Sequence, residues 1–206
     1  MKFPSERSGS ARDYCASYLE TLARAAESID ADMIERAADL LTGLFSADRT
    51  LYVCGNGGSA GISNHLLCDF SKGIQADTVL KPKVVSLSSH LEIITAIGND
   101  FEFAEIFSYQ LQTWARKGDA LMTISASGNS ENIVRAVSWA KKNGVATIAL
   151  TGFDGGRSAG MADINLHVRA ANYGIVEDLH QSMMHILAQY IRMRFMESDL
   201  IRSRSF

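Results

Sequence analysis

Residues 51–60 read Leu-Tyr-Val-Cys-Gly-Asn-Gly-Gly-Ser-Ala, and the fold class turns on this stretch. Its first four residues are apolar on both alternating faces, as in a strand buried inside a parallel sheet. Gly55, Gly57 and Gly58 let the backbone turn sharply and aim successive N–H groups at one point. Asn56 shapes that turn, and Ser59 adds a hydroxyl to it. From Ser59 the pattern becomes helical, so the loop lies at a helix N-terminus, where an anion is favoured. Strand, glycine turn and helix in this order describe a phosphate site. Gly55-x-Gly57-x-x-Ala60 also fits the loose dinucleotide fingerprint, which needs an acidic residue closing the second strand. Asp77 precedes that strand instead, and the strand ends in serines, so NAD is set aside. Without a Gly-Lys-Ser/Thr run, a triphosphate P-loop is excluded too.

Outward from this loop, short apolar runs alternate with helical segments. Strands are expected at Leu51–Cys54, Val84–Leu87, Ala120–Ser125, Ala146–Leu150 and Ile164–Val168. Helices are expected over 59–72, 102–116, 129–143 and 175–196, with 88–98 ambiguous. Such alternation predicts an α/β fold with a parallel sheet and ligands at the carboxyl ends of its strands. Before residue 48 the periodicity is helical throughout, broken at Ser28-Ile29-Asp30, with Asp30 as an N-cap. The expected organisation is one domain, 1–206. Residues 1–48 form helices that pack on the sheet or a neighbouring subunit, and 49–206 form the α/β core. The closing residues Ile-Arg-Ser-Arg-Ser-Phe read as a frayed terminus.

Composition narrows the class of partner. A net charge of −3 offers no general attraction to nucleic acid or an anionic membrane. No apolar run approaches the ~18 residues of a membrane span, and the first residues lack the apolar core of a signal peptide. Three cysteines without CxxC spacing suggest reduced thiols in a cytoplasm. Cys68, Trp114, Trp139, Met183, Met184 and Met193 read as packing residues. The chain has 16 glycines but only 2 prolines, and most of the glycines cluster at the expected ends of strands.

A second loop repeats the logic of the first. Ser125-Ala126-Ser127-Gly128-Asn129-Ser130 follows a strand and opens a helix. Three hydroxyls, a glycine and a helix N-terminus can grip a phosphate without lysine. Two acid–base groupings accompany these loops. His65 and Asp69 are four apart on the helix after the first loop, and so share a face. Glu177 and His185 lie eight apart on the last helix, close to two full turns, with His180 between them.

The glycine loop, Ala-Ile-Gly-Asn-Asp at 96–100, residues 124–130, Leu-Thr-Gly-Phe-Asp-Gly-Gly at 150–156 and the final helix together resemble the sugar isomerase (SIS) family. Within it, the likeness is to the phosphoheptose isomerases, and it runs along nearly the whole chain. The resemblance implies a five-stranded parallel sheet flanked by helices, a flavodoxin-like or Rossmann-like sandwich with an N-terminal helical hairpin. It also implies a cytoplasmic homotetramer with sites between subunits, acting on sedoheptulose 7-phosphate for heptose, lipopolysaccharide or other glycoconjugate synthesis. Carried over by motif position, Asn56, Gly57, Gly58, Ser59, Ser125, Ser127 and Ser130 bind the sugar phosphate, and Asp100 orients its hydroxyls. His65, Asp69, Glu177 and His185 hold Zn²⁺, and Asp69, Glu177 and His185 carry the proton transfers. For Asp100, capping of a helix from Phe101 to Trp114 is the competing reading.

Three positions depart from the family pattern. Asp69 stands where the family has glutamate, Glu177 where it has glutamine, and Ala126 where threonine is common. The reach and charge of the cluster are thereby redistributed, and Glu177 is expected to share the base or ligand work. The rival expectation is a non-catalytic SIS protein that binds the replication initiator or senses a sugar phosphate. Such proteins lose ligand-type residues on the two helices, whereas all four positions here keep a histidine or a carboxylate.

Overall fold

The computed structural model describes residues 1–206. Two helices lead, α1 (Ala11–Ala26) and α2 (Ala31–Ser46). Asp30 caps α2 as expected, its carboxylate accepting from Asp32 N at 2.9 Å and Met33 N at 3.3 Å. Caps of this kind contribute about 1 kcal/mol each. The alternating core follows: β1 (Thr50–Gly55), α3 (Gly58–Cys68), β2 (Lys83–Ser86), α4 (Leu91–Asp100), α5 (Ser108–Trp114) and β3 (Ala120–Ser125). It continues through α6 (Glu131–Lys142), β4 (Ala146–Thr151), α7 (Gly156–Met161), β5 (Ile164–His167), α8 (Tyr173–Phe195) and α9 (Ser198–Ser203). No helix is long and apolar enough to cross a membrane.

The five strands pair in parallel in the order β2-β1-β3-β4-β5. Order reverses between β1 and β3, and the crevice at the carboxyl ends of these two strands is where such sheets bind ligands. Both Gly/Ser loops of the sequence emerge there. Alternation along each strand feeds two cores. Leu51, Val53, Met122 and Ile124 face α2, α3 and α8 in a cluster of 31 buried residues. Tyr52, Cys54 and Leu121 face α4, α5 and α6 in a cluster of only 13. The N-terminal helices belong to the larger core, with Ala37, Ala38, Leu41 and Phe45 in it.

Several expectations change in detail. The helix expected over 59–72 is α3 followed by a π-helical turn, Asp69–Ile74, that sinks Phe70 and Ile74 into the core. Cys68, at the end of α3, is exposed rather than packed. The helix expected over 102–116 is broken into a 3₁₀ turn, Phe103–Glu105, and α5. The Arg135 guanidinium gathers Glu102, Glu105 and Glu131, and Glu102 is extended, outside any helix. Asp100 ends α4 instead of capping the helix after it. Met193 is exposed, whereas Met183 and Met184 are fully buried. The terminus carries α9, and Arg204 pairs with Asp77 at 3.2 Å. Asp77 is further engaged by Arg192 at 3.1 Å, which accounts for it without a ribose.

Loops at the strand ends interlock through glycine. Gly128 has φ +63°, and a Cβ there would strike the carbonyl oxygen of Gly155. Ser158 N donates to Gly128 O at 3.0 Å, so the loop after β3 is braced by the start of α7. Gly43, inside α2, has open space where a Cβ would stand. Gly128→Ala should therefore cost about 1–3 kcal/mol, whereas Gly43→Ala should stabilise by about 0.5–1 kcal/mol. Chemical denaturation of the two variants checks these opposite signs.

His180 on α8 is fully buried and neither ring nitrogen makes a hydrogen bond. Burial pushes its pKa down to about 4, from an ordinary value of 6.5. Between these values the unfolded chain binds a proton that the folded chain does not, so stability rises with pH there. It is complete above 6.5 and falls by about 3 kcal/mol as pH drops to 4. His180→Leu should lose that share of the acid sensitivity. Equal slopes of stability against pH in the variant and the parent would refute the assignment.

Candidate active site

The crevice between the two loops is a cavity of about 150 Å³. At about 30 Å³ per water this holds roughly five, room for a phosphoryl group and its neighbouring atoms rather than a whole sugar. Asn56, Ser59, Ser125, Ser127 and Ser130 line it, joined by Tyr173 and Glu177 from α8. No lysine or arginine does. Donors for an anion are the serine and Tyr173 hydroxyls, the Asn56 amide, the N-termini of α3 and α6 and loop amides.

The walls are fixed by hydrogen bonds within the loops. Asn56 and Asn132 exchange a reciprocal amide pair at 3.0 and 2.9 Å, tying the first loop to the first turn of α6. Ser125 Oγ accepts from Gly128 N at 3.2 Å, and Ser127 Oγ from Asn129 N at 3.4 Å. Ala126 is buried against the larger core, and its carbonyl accepts from Gly152 N at 2.8 Å. Position 126 thus contributes backbone to the loop and apolar surface to the core.

Glu177 reaches into this crevice across α3. A Cβ added at Gly58 would lie 2.6 Å from Glu177 Oε2, so the carboxylate rests on the bare backbone at the start of α3. Gly58 is thereby accounted for by a close approach, and the positive end of α3 faces this carboxylate as well as any incoming anion.

Further along α3 and α8 lies the second grouping. His65 Nε2 and His185 Nε2 each stand 3.3 Å from Asp69 Oδ2. The two rings meet edge to face at 5.1 Å. One donor atom from each of the three residues falls within 4.8 Å of the others. All three side chains are between 30% and 50% exposed, open to a ligand from outside. In a tetrahedral zinc site, bonds of about 2.0–2.1 Å set neighbouring donors about 3.3 Å apart. The two histidine–carboxylate separations match that spacing, so the trio fits a divalent ion in donor type and geometry.

Glu177, expected as a fourth ligand, stands outside this trio. The reason is helical rise: eight residues separate it from His185, about 12 Å along the axis. Midway sits Gln181, whose Nε2 lies 3.2 Å from His65 Nδ1 and 3.1 Å from His185 Nε2. Sequence reading passed over Gln181 and Asn132. The spacing of 177, 181 and 185, four and four on one helix face, was the available signal for the first. Asp100 is exposed and does not line the crevice of its own chain; its carboxylate accepts from Asn99 Nδ2 at 2.9 Å.

Comparison with known proteins follows the same lines. The SIS domain family matches residues 13–152. A phosphoheptose isomerase of Nitratidesulfovibrio vulgaris is 39% identical over 158 residues, 77% of this chain and 76% of that protein. A solved phosphoheptose isomerase from Neisseria gonorrhoeae superposes with a TM-score of 0.81 at 33% identity, covering 88% of this chain and 98% of the other. One from Francisella tularensis gives 0.82 at 30% identity, covering 89% and 99%. The chain belongs to the SIS domain family, among its phosphoheptose isomerases.

Proposed function

We propose that this chain interconverts sedoheptulose 7-phosphate and D-glycero-D-manno-heptose 7-phosphate by proton transfer through an enediol(ate). The observation that carries this reading is the placement, on one pair of helices, of a free carboxylate in an anion-binding crevice and a histidine–carboxylate cluster beside it. Ser59, Ser125, Ser127 and Ser130 hold the phosphate, with Asn56 fixing the first loop. Glu177 takes the proton from the carbon beside the carbonyl and returns it to the neighbouring carbon, work that suits a carboxylate free of other partners. His65, Asp69 and His185 would hold a divalent ion such as Zn²⁺, which polarises the substrate carbonyl when bound. Asp69 and His185 would also exchange the hydroxyl protons that the isomerisation must move.

Three free thiols, Cys15, Cys54 and Cys68, support a cytoplasmic setting. A homotetramer with sites between subunits is supported by the outer face of the thinner core. Leu91, Phe101, Phe103 and Tyr109 are exposed there, beside Asp100. A neighbouring chain would cover this apolar surface, and Asp100 would reach the neighbour's substrate. Supply of heptose for lipopolysaccharide or another glycoconjugate is the metabolic setting that accords with this reaction.

A coupled assay with sedoheptulose 7-phosphate, with and without chelator and added zinc, tests the reaction. Turnover is expected, and Glu177→Gln should lower kcat by about 10²–10⁴-fold with a smaller change in KM. Turnover untouched in Glu177→Gln would remove the base from Glu177. No turnover under any metal condition would favour the non-catalytic rival. Light scattering should give four chains, and Phe101→Glu should give smaller assemblies with reduced turnover.

A further inference from the structure

We propose that Tyr173 closes the outer end of the anion crevice by donating its hydroxyl to the substrate phosphate, and that Phe153 positions it there. The inference rests on reading the crevice as the phosphate site of a sugar-phosphate isomerase.

Tyr173 opens α8 and lines the crevice together with Glu177, about one turn further along the same helix face. His185 lies about two turns beyond Glu177 in the same direction. Tyr173 therefore stands on the side of the carboxylate away from the histidine cluster. A phosphate seated among the serines places its charge beside that of Glu177, and no lysine or arginine lines the crevice to offset the pair. A phenol hydroxyl supplies a proton to such an anion from α8 while adding no charge of its own.

Tyr173 is 61% exposed, yet it is held in place. Asn172 caps α8, its Oδ1 accepting from Ile175 N at 2.9 Å and its Nδ2 donating to Phe3 O at 2.9 Å. The Phe153 ring lies against that of Tyr173, with centroids 4.8 Å apart and planes tilted by 54°. Phe153 reaches this place through a backbone φ of +52°, a left-handed conformation that bulky side chains rarely adopt. Strain of this kind persists only where its surroundings impose it, and it gathers at ligand sites. Here two hydrogen bonds impose it. Phe153 N donates to Ala170 O at 2.8 Å, in the segment leading into α8, and Gly152 N donates to Ala126 O at 2.8 Å, in the serine loop. The loop of Phe153 thus ties the start of α8 to the serine loop, the two walls between which a phosphate would sit. Ser127 makes the same connection, lining both the crevice and a neighbouring cavity of about 440 Å³ that Phe153 borders.

The test uses the full-length protein, with inorganic phosphate titrated by calorimetry and KM measured for sedoheptulose 7-phosphate in the coupled assay. Tyr173→Phe, which keeps the ring, should weaken phosphate binding and raise KM by about 10-fold each, with a smaller change in kcat. Phe153→Asn tolerates the left-handed backbone but lacks the ring. It should move both quantities in the same direction, by no more than Tyr173→Phe does, and Phe153→Tyr should restore them. Combined with Tyr173→Phe, Phe153→Asn should add no further loss, because it acts only through the hydroxyl. Melting temperatures separate lost positioning from lost packing, and Phe153→Gly replaces Phe153→Asn if the latter is poorly folded. Parent-like phosphate affinity in Tyr173→Phe, or additive losses in the double variant, would overturn the assignment. So would a loss confined to KM, since it places Tyr173 against the sugar instead. A parent protein that binds no phosphate would overturn the crevice as its site. Phosphate binding that follows the expected pattern in a protein without turnover would uphold the assignment and remove the isomerase reading.

Discussion

α3 and α8 lie side by side and run in the same direction, and the site is built on that contact. Glu177 meets Gly58 near the start of both helices, and His185 meets His65 two turns on. A parallel pair of this kind arises because each helix follows a strand of a parallel sheet and runs back along it. Both therefore begin in the same layer, at the carboxyl ends of the strands, where backbone N–H groups are unsatisfied. Had α8 packed against the sheet in the opposite sense, its carboxylate and its histidine would exchange places. The anion crevice and the histidine cluster owe their order along the molecule to this one packing choice.

Much of this was legible in the sequence, for identifiable reasons. Buried parallel strands are apolar on both faces, so Leu51–Cys54 and Ala120–Ser125 stood out, and the loops after them carry the glycines and serines that a turn and an anion require. Spacing of four placed His65 and Asp69 on one face, and they meet. What spacing could not show was depth along the helix. Glu177 and His185 share a face, yet about 12 Å of rise divides them, and only packing against α3 reveals that Gln181 stands between them. Asp100 ends a helix instead of starting one, since the chain leaves the helical path at Phe101, and Arg135, thirty-five residues after Asp100, pairs with Glu102 just beyond the break. The π-helical turn after Cys68 is similarly a matter of where Phe70 and Ile74 find the core.

The crevice offers an anion no formal positive charge from its own chain, and this shapes what it could hold. Hydroxyls, amides and helix ends stabilise a phosphate by direction rather than by long-range field. Attraction over distance is weak in a chain of net charge −3, so affinity depends on close fit. The carboxylate of Glu177 at the rim reinforces this, since a poorly seated phosphate would meet it as a like charge.

The run of α3 from Gly58 to His65 then acts as a ruler. Seven residues at 1.5 Å each set about 10 Å between the layer of the anion crevice and the first histidine. A molecule lying along it would meet Glu177 first and the histidine cluster about two turns later. The distance between the two groupings is thereby set by the pitch of a helix, whatever side chains lie between them.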